Sequence, residues 1–217
     1  MPAPAGVNGP SHAEVGGRRV AVLANLRLPR VVVFGGLLSD AECAALIERS
    51  RARLTRSATL NLDTGVDEPH DARTSEGTSL RRGEDPLVSR IEARIAALVD
   101  WPVEQGEGLH VLRYRPGAEY KPHYDYFDPG RPGTRRILAS GGQRVASLVM
   151  YLNTPEAGGA TTFPDIGFEA AAVKGNAVFF SYDRPHPMTK SLHGGAPVVA
   201  GEKWIATKWF RERPCPA

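Results

Sequence analysis

From Leu109 onward the chain reads as short β-type runs divided by turns, and this stretch most constrains what it can fold into. LHVLRY (Leu109 to Tyr114) closes on Arg115, Pro116 and Gly117, and WIATKWF (Trp204 to Phe210) is a second strand-like run. Upstream, PRVVVF (Pro29 to Phe34) reads as a strand, and Ser39 with Glu42 forms a capping box that opens a helix running to about Arg53. An Asp-, Gly- and Pro-rich loop spans Leu62 to Glu76. Asp85 and Pro86 then start a second helix with Leu87, Ile91, Ile95 and Leu98 on one face. Residues 1–24, rich in Pro, Gly and Ala without periodicity, read as a flexible tail. Helices followed by a run of strands predict an α+β fold, an antiparallel barrel buttressed by the N-terminal helices. Residues 25–217 are of a length for a single domain.

Four residues in this framework carry chemistry. His123 and Asp125 lie two apart in YKPHYDYF (Tyr120 to Phe127), His193 follows 68 positions after Asp125, and Lys203 ten beyond that. An H-x-D triplet alone is a weak signal, and a surface turn can produce it. On a strand, however, positions 123 and 125 point to one face. His193, leading into GGAPVV and a second β element, is the candidate third ligand. Two imidazoles and one carboxylate suit an iron centre and leave positions open for an organic acid and O₂, so the implied chemistry is oxidative. His186, between two prolines, reads as a loop residue instead. His110 reads as a packed or partly exposed strand residue, and His12 and His70 sit in uninformative surroundings.

Over roughly Leu109 to Arg211 the chain resembles the prolyl 4-hydroxylase type of Fe(II)/2-oxoglutarate-dependent dioxygenase. The segments that carry this are LRYRPG (Leu112 to Gly117), YKPHYDYF, RVASLVMYLN (Arg144 to Asn153), GGATTFP (Gly158 to Pro164), GNAVFF (Gly175 to Phe180), HGGAPV (His193 to Val198) and EKWIATKW (Glu202 to Trp209), with RTSEGT (Arg73 to Thr78) upstream. The resemblance implies a double-stranded β-helix, or jelly-roll, with its metal-binding core at about 107–211. It implies that His123, Asp125 and His193 hold Fe(II), and that Lys203 pairs with the distal carboxylate of 2-oxoglutarate while Tyr114 donates a hydrogen bond to it. It also implies O₂ as co-substrate and ascorbate binding. Trp209, on the face of Lys203 by strand alternation, would lie near co-substrate and substrate, with plain core packing as its other reading. Tyr120 would face the substrate proline or be an exposed strand tyrosine. Arg73, Ser75 and Glu107 would touch the substrate backbone or be ordinary surface residues. The partner implied is a proline-containing peptide or protein, approaching through loops 62–82 and 127–142, which are expected to be mobile until they close over it.

Composition sets limits. With 41% hydrophobic and 24% charged residues the balance is that of a globular protein. No apolar run approaches the length of a membrane span, and no secretory leader is visible. Only Cys43 and Cys215 occur, so a disulfide framework is not expected; a reducing, cytoplasmic setting is, which sets the chain apart from collagen hydroxylases of the secretory pathway. The net charge of +3 is mildly basic, and no nucleic-acid-binding motif is present. Arg131, Arg135, Arg136 and Arg144 make a basic segment after the metal strand that would recruit an acidic or extended partner, or simply be solvated. Two other functions stay open: an oxygenase of the same fold acting on a small metabolite or nucleic acid, and a barrel that binds without catalysis. The Lys203 position and the Arg73 to Ser75 segment weigh against the first, the intact ligand set against the second.

Overall fold

A computed structural model of the chain describes residues 1–4, 9, 11–60, 64–69 and 71–216. In chain order the elements are β1 (His12–Val15), β2 (Arg18–Leu26), β3 (Arg30–Gly35), α1 (Asp40–Arg51), β4 (Thr55–Arg56), β5 (Ala58–Leu60), β6 (Asp67–Pro69), β7 (Glu76–Leu80) and α2 (Pro86–Val99). After these come β8 (Leu109–Tyr114), β9 (Tyr120–His123), α3 (Thr134–Ala139), β10 (Arg144–Tyr151), β11 (Ala157–Gly158), β12 (Thr161–Phe163) and β13 (Phe168–Ala170). The chain ends with β14 (Ala177–Ser181), β15 (His193–Gly195), β16 (Val198–Ala200) and β17 (Lys203–Arg211). A nine-stranded sheet in the order β1-β2-β3-β14-β10-β17-β8-β7-β4 packs on a four-stranded sheet, β13-β12-β15-β9, the two walls of the expected jelly-roll.

Strand alternation sorts the side chains of the large sheet into two cores. Leu109 and Val111 of β8, Leu148 and Met150 of β10, Phe179 of β14 and Trp204, Ala206 and Phe210 of β17 face the helices, where Leu46 of α1 and Ile91, Ile95 and Leu98 of α2 cover them. Their neighbours Leu112, Tyr114, Val149, Tyr151, Val178, Phe180 and Ile205 face the small sheet. The helices begin where local chemistry places them. Ser39 Oγ accepts from the Glu42 amide at 3.1 Å while the Glu42 carboxylate accepts from the Ser39 amide at 2.9 Å. Asp85 accepts from the amides of Leu87 and Val88, with Pro86 in the first turn.

Two buried ion pairs tie the helices down. Arg94 of α2 makes a two-pronged contact with Glu42 of α1 at 2.9 and 2.7 Å. Lys208, the one charged residue on the helix-facing side of β17, meets Glu92 of α2 at 2.5 Å. Burial alone pushes the Lys208 amine down and the Glu92 carboxylate beside it pushes it back up.

Three expectations are corrected. The expected tail of residues 1–24 carries β1 and β2, which pair with each other and with β3, and Val20 is fully buried. Backbone pairing overrides a disorder-like composition there; residues 5–8 and 10 lie outside the described residues. The expected loop at 62–76 contains β6, paired with β5, with residues 62, 63 and 70, His70 included, outside the described residues. The basic segment at 127–142 holds α3, and Arg144 leaves it for β10.

Candidate metal centre and active site

β9 and β15 pair so that His123 and His193 are direct cross-strand partners, which brings two residues far apart in sequence to adjacent positions on one face. Their ring centroids lie 4.4 Å apart. Asp125 does not continue β9 as expected. The strand ends at His123, and Asp125 sits on the bend beyond it. That bend aims both carboxylate oxygens at the imidazoles, Oδ1 3.6 Å from His123 Nε2 and Oδ2 3.4 Å from His193 Nε2. One ligand atom from each of the three residues falls within 4.8 Å of the others.

The surroundings fix each ligand in a metal-binding form. His123 Nδ1 donates to the Lys121 carbonyl at 2.9 Å and His193 Nδ1 to the Ser191 carbonyl at 3.0 Å, so each ring turns its Nε2 inward. Burial pushes the His193 imidazole down to about 4, which keeps it neutral. Burial by itself would push the Asp125 carboxyl up, but the two imidazoles hold it far below the ordinary carboxylate range. Ser147 Oγ donates to Asp125 Oδ2 at 2.5 Å and is itself 3.2 Å from the Tyr182 hydroxyl. Two imidazoles and a carboxylate form the donor set of a non-haem Fe(II) site, and the residues present fit that metal.

A narrow cavity of about 40 Å³ runs from these ligands to Lys203. Lys203 is the register partner of Tyr114, and its ammonium lies 5.3 Å from the Tyr114 ring and 6.0 Å from that of Tyr151. It is 2% exposed and pairs with no carboxylate among the described residues, and burial pushes its amine down to about 8. Leu112, Val149 and Ile205 give the walls an apolar part, beside Thr161, Thr207 and Arg73. A dry slot with an unpaired cation at its end fits a dicarboxylate that reaches the metal with its other end.

A second, larger cavity of about 530 Å³ adjoins the first and shares Arg73, Tyr120, His123, Asp125 and Trp209 with it. Trp209, on the Lys203 face of β17, lines both cavities. Tyr120, also in both walls, stacks on His123 with centroids 3.6 Å apart, and the Arg73 guanidinium lies over the Tyr120 ring at 4.9 Å. Glu107 reaches the larger cavity, but its oxygens take Arg144 at 2.9 and 2.8 Å and Arg211 at 3.1 Å. Ser75 is buried with its hydroxyl on Ser57 at 2.9 Å and lines neither cavity. His186 caps a short turn through the Met188 amide, away from the ligands.

Sequence reasoning passed over several residues. His110 lines the larger cavity, a position that its alternation with Leu112 and Tyr114 could have signalled. Arg144, read as part of a basic loop, packs its guanidinium 4.0 Å from the Trp209 ring. Ser147 and Tyr182 carry no local pattern that marks them.

Many known proteins are similar to this chain. A family model described as the 2OG-Fe(II) oxygenase superfamily matches residues 109–211. Prolyl 4-hydroxylase 2 of Arabidopsis thaliana is 39% identical over 207 residues, covering 84% of this chain and 67% of its own. Prolyl 4-hydroxylase 5 of the same plant is 40% identical over 203 residues, covering 84% and 68%. The viral collagen prolyl hydroxylase of Paramecium Bursaria Chlorella virus-1, solved with 2OG, superposes with a TM-score of 0.63 at 30% identity over 83% of this chain and 95% of that one. The ligand set, the buried lysine and this shared sequence over most of both chains place the protein in the prolyl 4-hydroxylase family of 2OG-Fe(II) oxygenases.

Proposed function

We propose that the protein hydroxylates prolyl residues in a peptide or protein substrate, converting proline, 2-oxoglutarate and O₂ to hydroxyproline, succinate and CO₂. One observation carries the reading: the His123, Asp125 and His193 set lines a slot that also holds an unpaired buried lysine, and His123 and Asp125 line a larger adjoining cavity as well. Bound Fe(II) would supply O₂ activation and the oxidation of an unactivated C–H bond.

The chain's own residues do the rest. Lys203 neutralises the distal carboxylate of 2-oxoglutarate, and Tyr114 flanks it. Leu112, Val149 and Ile205 keep water from that carboxylate and strengthen the pairing. Tyr120 covers one face of His123, and together with Trp209 it narrows the passage between the cavities, so that a substrate carbon enters from the larger one. Ser147 and the two carbonyls on the histidines hold the ligands in place without reorganisation. The cytoplasm is proposed as the setting on the strength of two free cysteines, Cys43 and Cys215, both buried.

The test is turnover by the full chain loaded with Fe(II), scoring succinate and peptide hydroxyproline together over a panel of proline-containing peptides. Hydroxyproline formed in step with succinate supports the reading. Succinate formation stimulated by a small metabolite or an oligonucleotide, with every peptide inert, would assign the larger cavity to another substrate.

A further inference from the structure

The larger cavity holds a charge imbalance that hydroxylation does not require. Its lining includes three guanidiniums, those of Arg73, Arg144 and Arg211. Arg144 and Arg211 share the Glu107 carboxylate, and the other carboxylate in the lining, Asp125, is a metal ligand. Arg73 has no such partner. It is 6% exposed, its Nη1 makes only a long 3.4 Å contact with the Ala58 carbonyl, its Nε has no partner, and it forms no ion pair among the described residues. The Tyr120 ring offsets part of the cost of holding it there, but a ring face is a weaker counterpart than an anion.

The neighbouring groups are donors as well. Trp209 Nε1 is buried without a partner. His110 Nδ1 lies 3.0 Å from Ser79 Oγ, and with that hydroxyl donating, the ring hydrogen falls on Nε2, which also has no partner. Burial, followed by the charges of Arg73 and Arg144, pushes the His110 imidazole down to about 3, so it serves as a neutral donor. Its ring centroid is 5.9 Å from that of Trp209. A wall of unsatisfied N–H groups around a lone cation asks for an acceptor that is also charged. A backbone carbonyl would meet the hydrogen-bonding need and leave the charge unmet.

Position sets where on a substrate that acceptor sits. The Tyr120 ring contacts both groups, with the His123 centroid 3.6 Å and the Arg73 guanidinium carbon 4.9 Å from its own, and an extended chain advances about 3.3 to 3.6 Å per residue. We infer that the larger cavity contains a subsite for a carboxylate side chain, so that favoured substrates carry Asp or Glu one or two residues from the target proline, with Arg73 as the specificity-determining residue. The inference rests on the prolyl reading above.

Three peptides alike except for Glu, Gln or Lys beside the proline separate the possibilities, tested with the Fe(II)-loaded full chain. The wild type should turn over the Glu peptide with a kcat/KM about tenfold above that of the Gln peptide, and the Lys peptide should be the poorest. Arg73→Gln should level the three, Arg73→Lys should keep part of the Glu preference, and Arg73→Glu should shift it toward Lys. The KM for 2-oxoglutarate should stay as it is in all of them. Equal turnover of the three peptides by the wild type, which needs no variant to fold, overturns the carboxylate subsite and leaves prolyl hydroxylation standing. A raised KM for 2-oxoglutarate in Arg73→Gln, with peptide discrimination intact, overturns it also and gives the guanidinium to the co-substrate. Consumption of 2-oxoglutarate with no peptide hydroxylated overturns the prolyl reading and this inference with it.

Discussion

Lys203 shows how far a single side chain can be interpreted. An ammonium buried without a counter-charge is held at a cost, which is why its amine is pushed down to about 8, and a bound dicarboxylate relieves that cost. Lys203→Ala should weaken 2-oxoglutarate by about 3 to 5 kcal/mol, or roughly two to three orders of magnitude in the concentration dependence of succinate formation. Tyr114→Phe should cost less, on the order of 1.5 to 3 kcal/mol. An unchanged dependence in Lys203→Ala would move the anchor elsewhere, yet the next candidates are poorly placed: Lys190 is exposed on a turn and Arg211 is engaged by backbone carbonyls and Glu107. The lowered amine also sets a pH dependence. Above about pH 8 the empty site holds a neutral lysine, binding must recapture a proton, and the apparent affinity for 2-oxoglutarate should fall as pH rises through that value. At the metal, Asp125→Ala should abolish tight Fe(II) binding, and Ser147→Ala should weaken it about 10- to 100-fold by isothermal titration, since it removes the donor to Oδ2. Wild-type affinity in Asp125→Ala would remove this carboxylate from the set. His123, Asp125, His193 and Lys203 were legible because each stands in a short pattern at fixed spacing. Ser147 and Tyr182 were not, because they become site residues only through pairing between strands distant in the chain.

Secondary structure was legible where the signal was local. The capping box at Ser39 and the Asp85–Pro86 start appear where the sequence puts them, and the burial of Leu87, Ile91, Ile95 and Leu98 follows the 3.6-residue period. What the sequence hid was tertiary. β2 carries apolar residues at Val20, Val22, Ala24 and Leu26, but the Gly- and Pro-rich stretch before them masks the pattern, and the strand is held by pairing with β1 on one side and β3 on the other. The link between β17 and α2 was equally invisible. Lys208→Met should leave Glu92 as an uncompensated buried charge and destabilise the fold by about 3 to 5 kcal/mol, whereas Lys208→Met combined with Glu92→Leu should recover most of the loss. Urea unfolding of the two variants decides this. A double variant no more stable than the single one would show that the pair contributes more than mutual neutralisation.

Across the whole molecule, the two sheets and the helix layer depend on an N-terminal hairpin that composition alone had written off. Removing residues 1–26 strips β1 and β2 from the large sheet, uncovers the edge of β3 and takes away the buried Val20. The shortened chain should unfold at lower denaturant and associate as its concentration rises, read by urea midpoint and size-exclusion chromatography. An unshifted midpoint with a monomeric profile would show that the hairpin is dispensable. One strand, finally, runs the length of the site. Lys203, Ile205, Thr207, Trp209 and Arg211 of β17 line the two cavities, while Trp204, Ala206 and Phe210 between them pack beneath the helices and Lys208 meets Glu92. The distance from anchor to peptide entrance is thus counted in residues along a single backbone, as on a ruler. Losing or gaining one residue within β17 would exchange the contents of cavity and core from that point on. Descendants of this gene can therefore vary β17 by substitution only, and changes of length are left to the connections between strands.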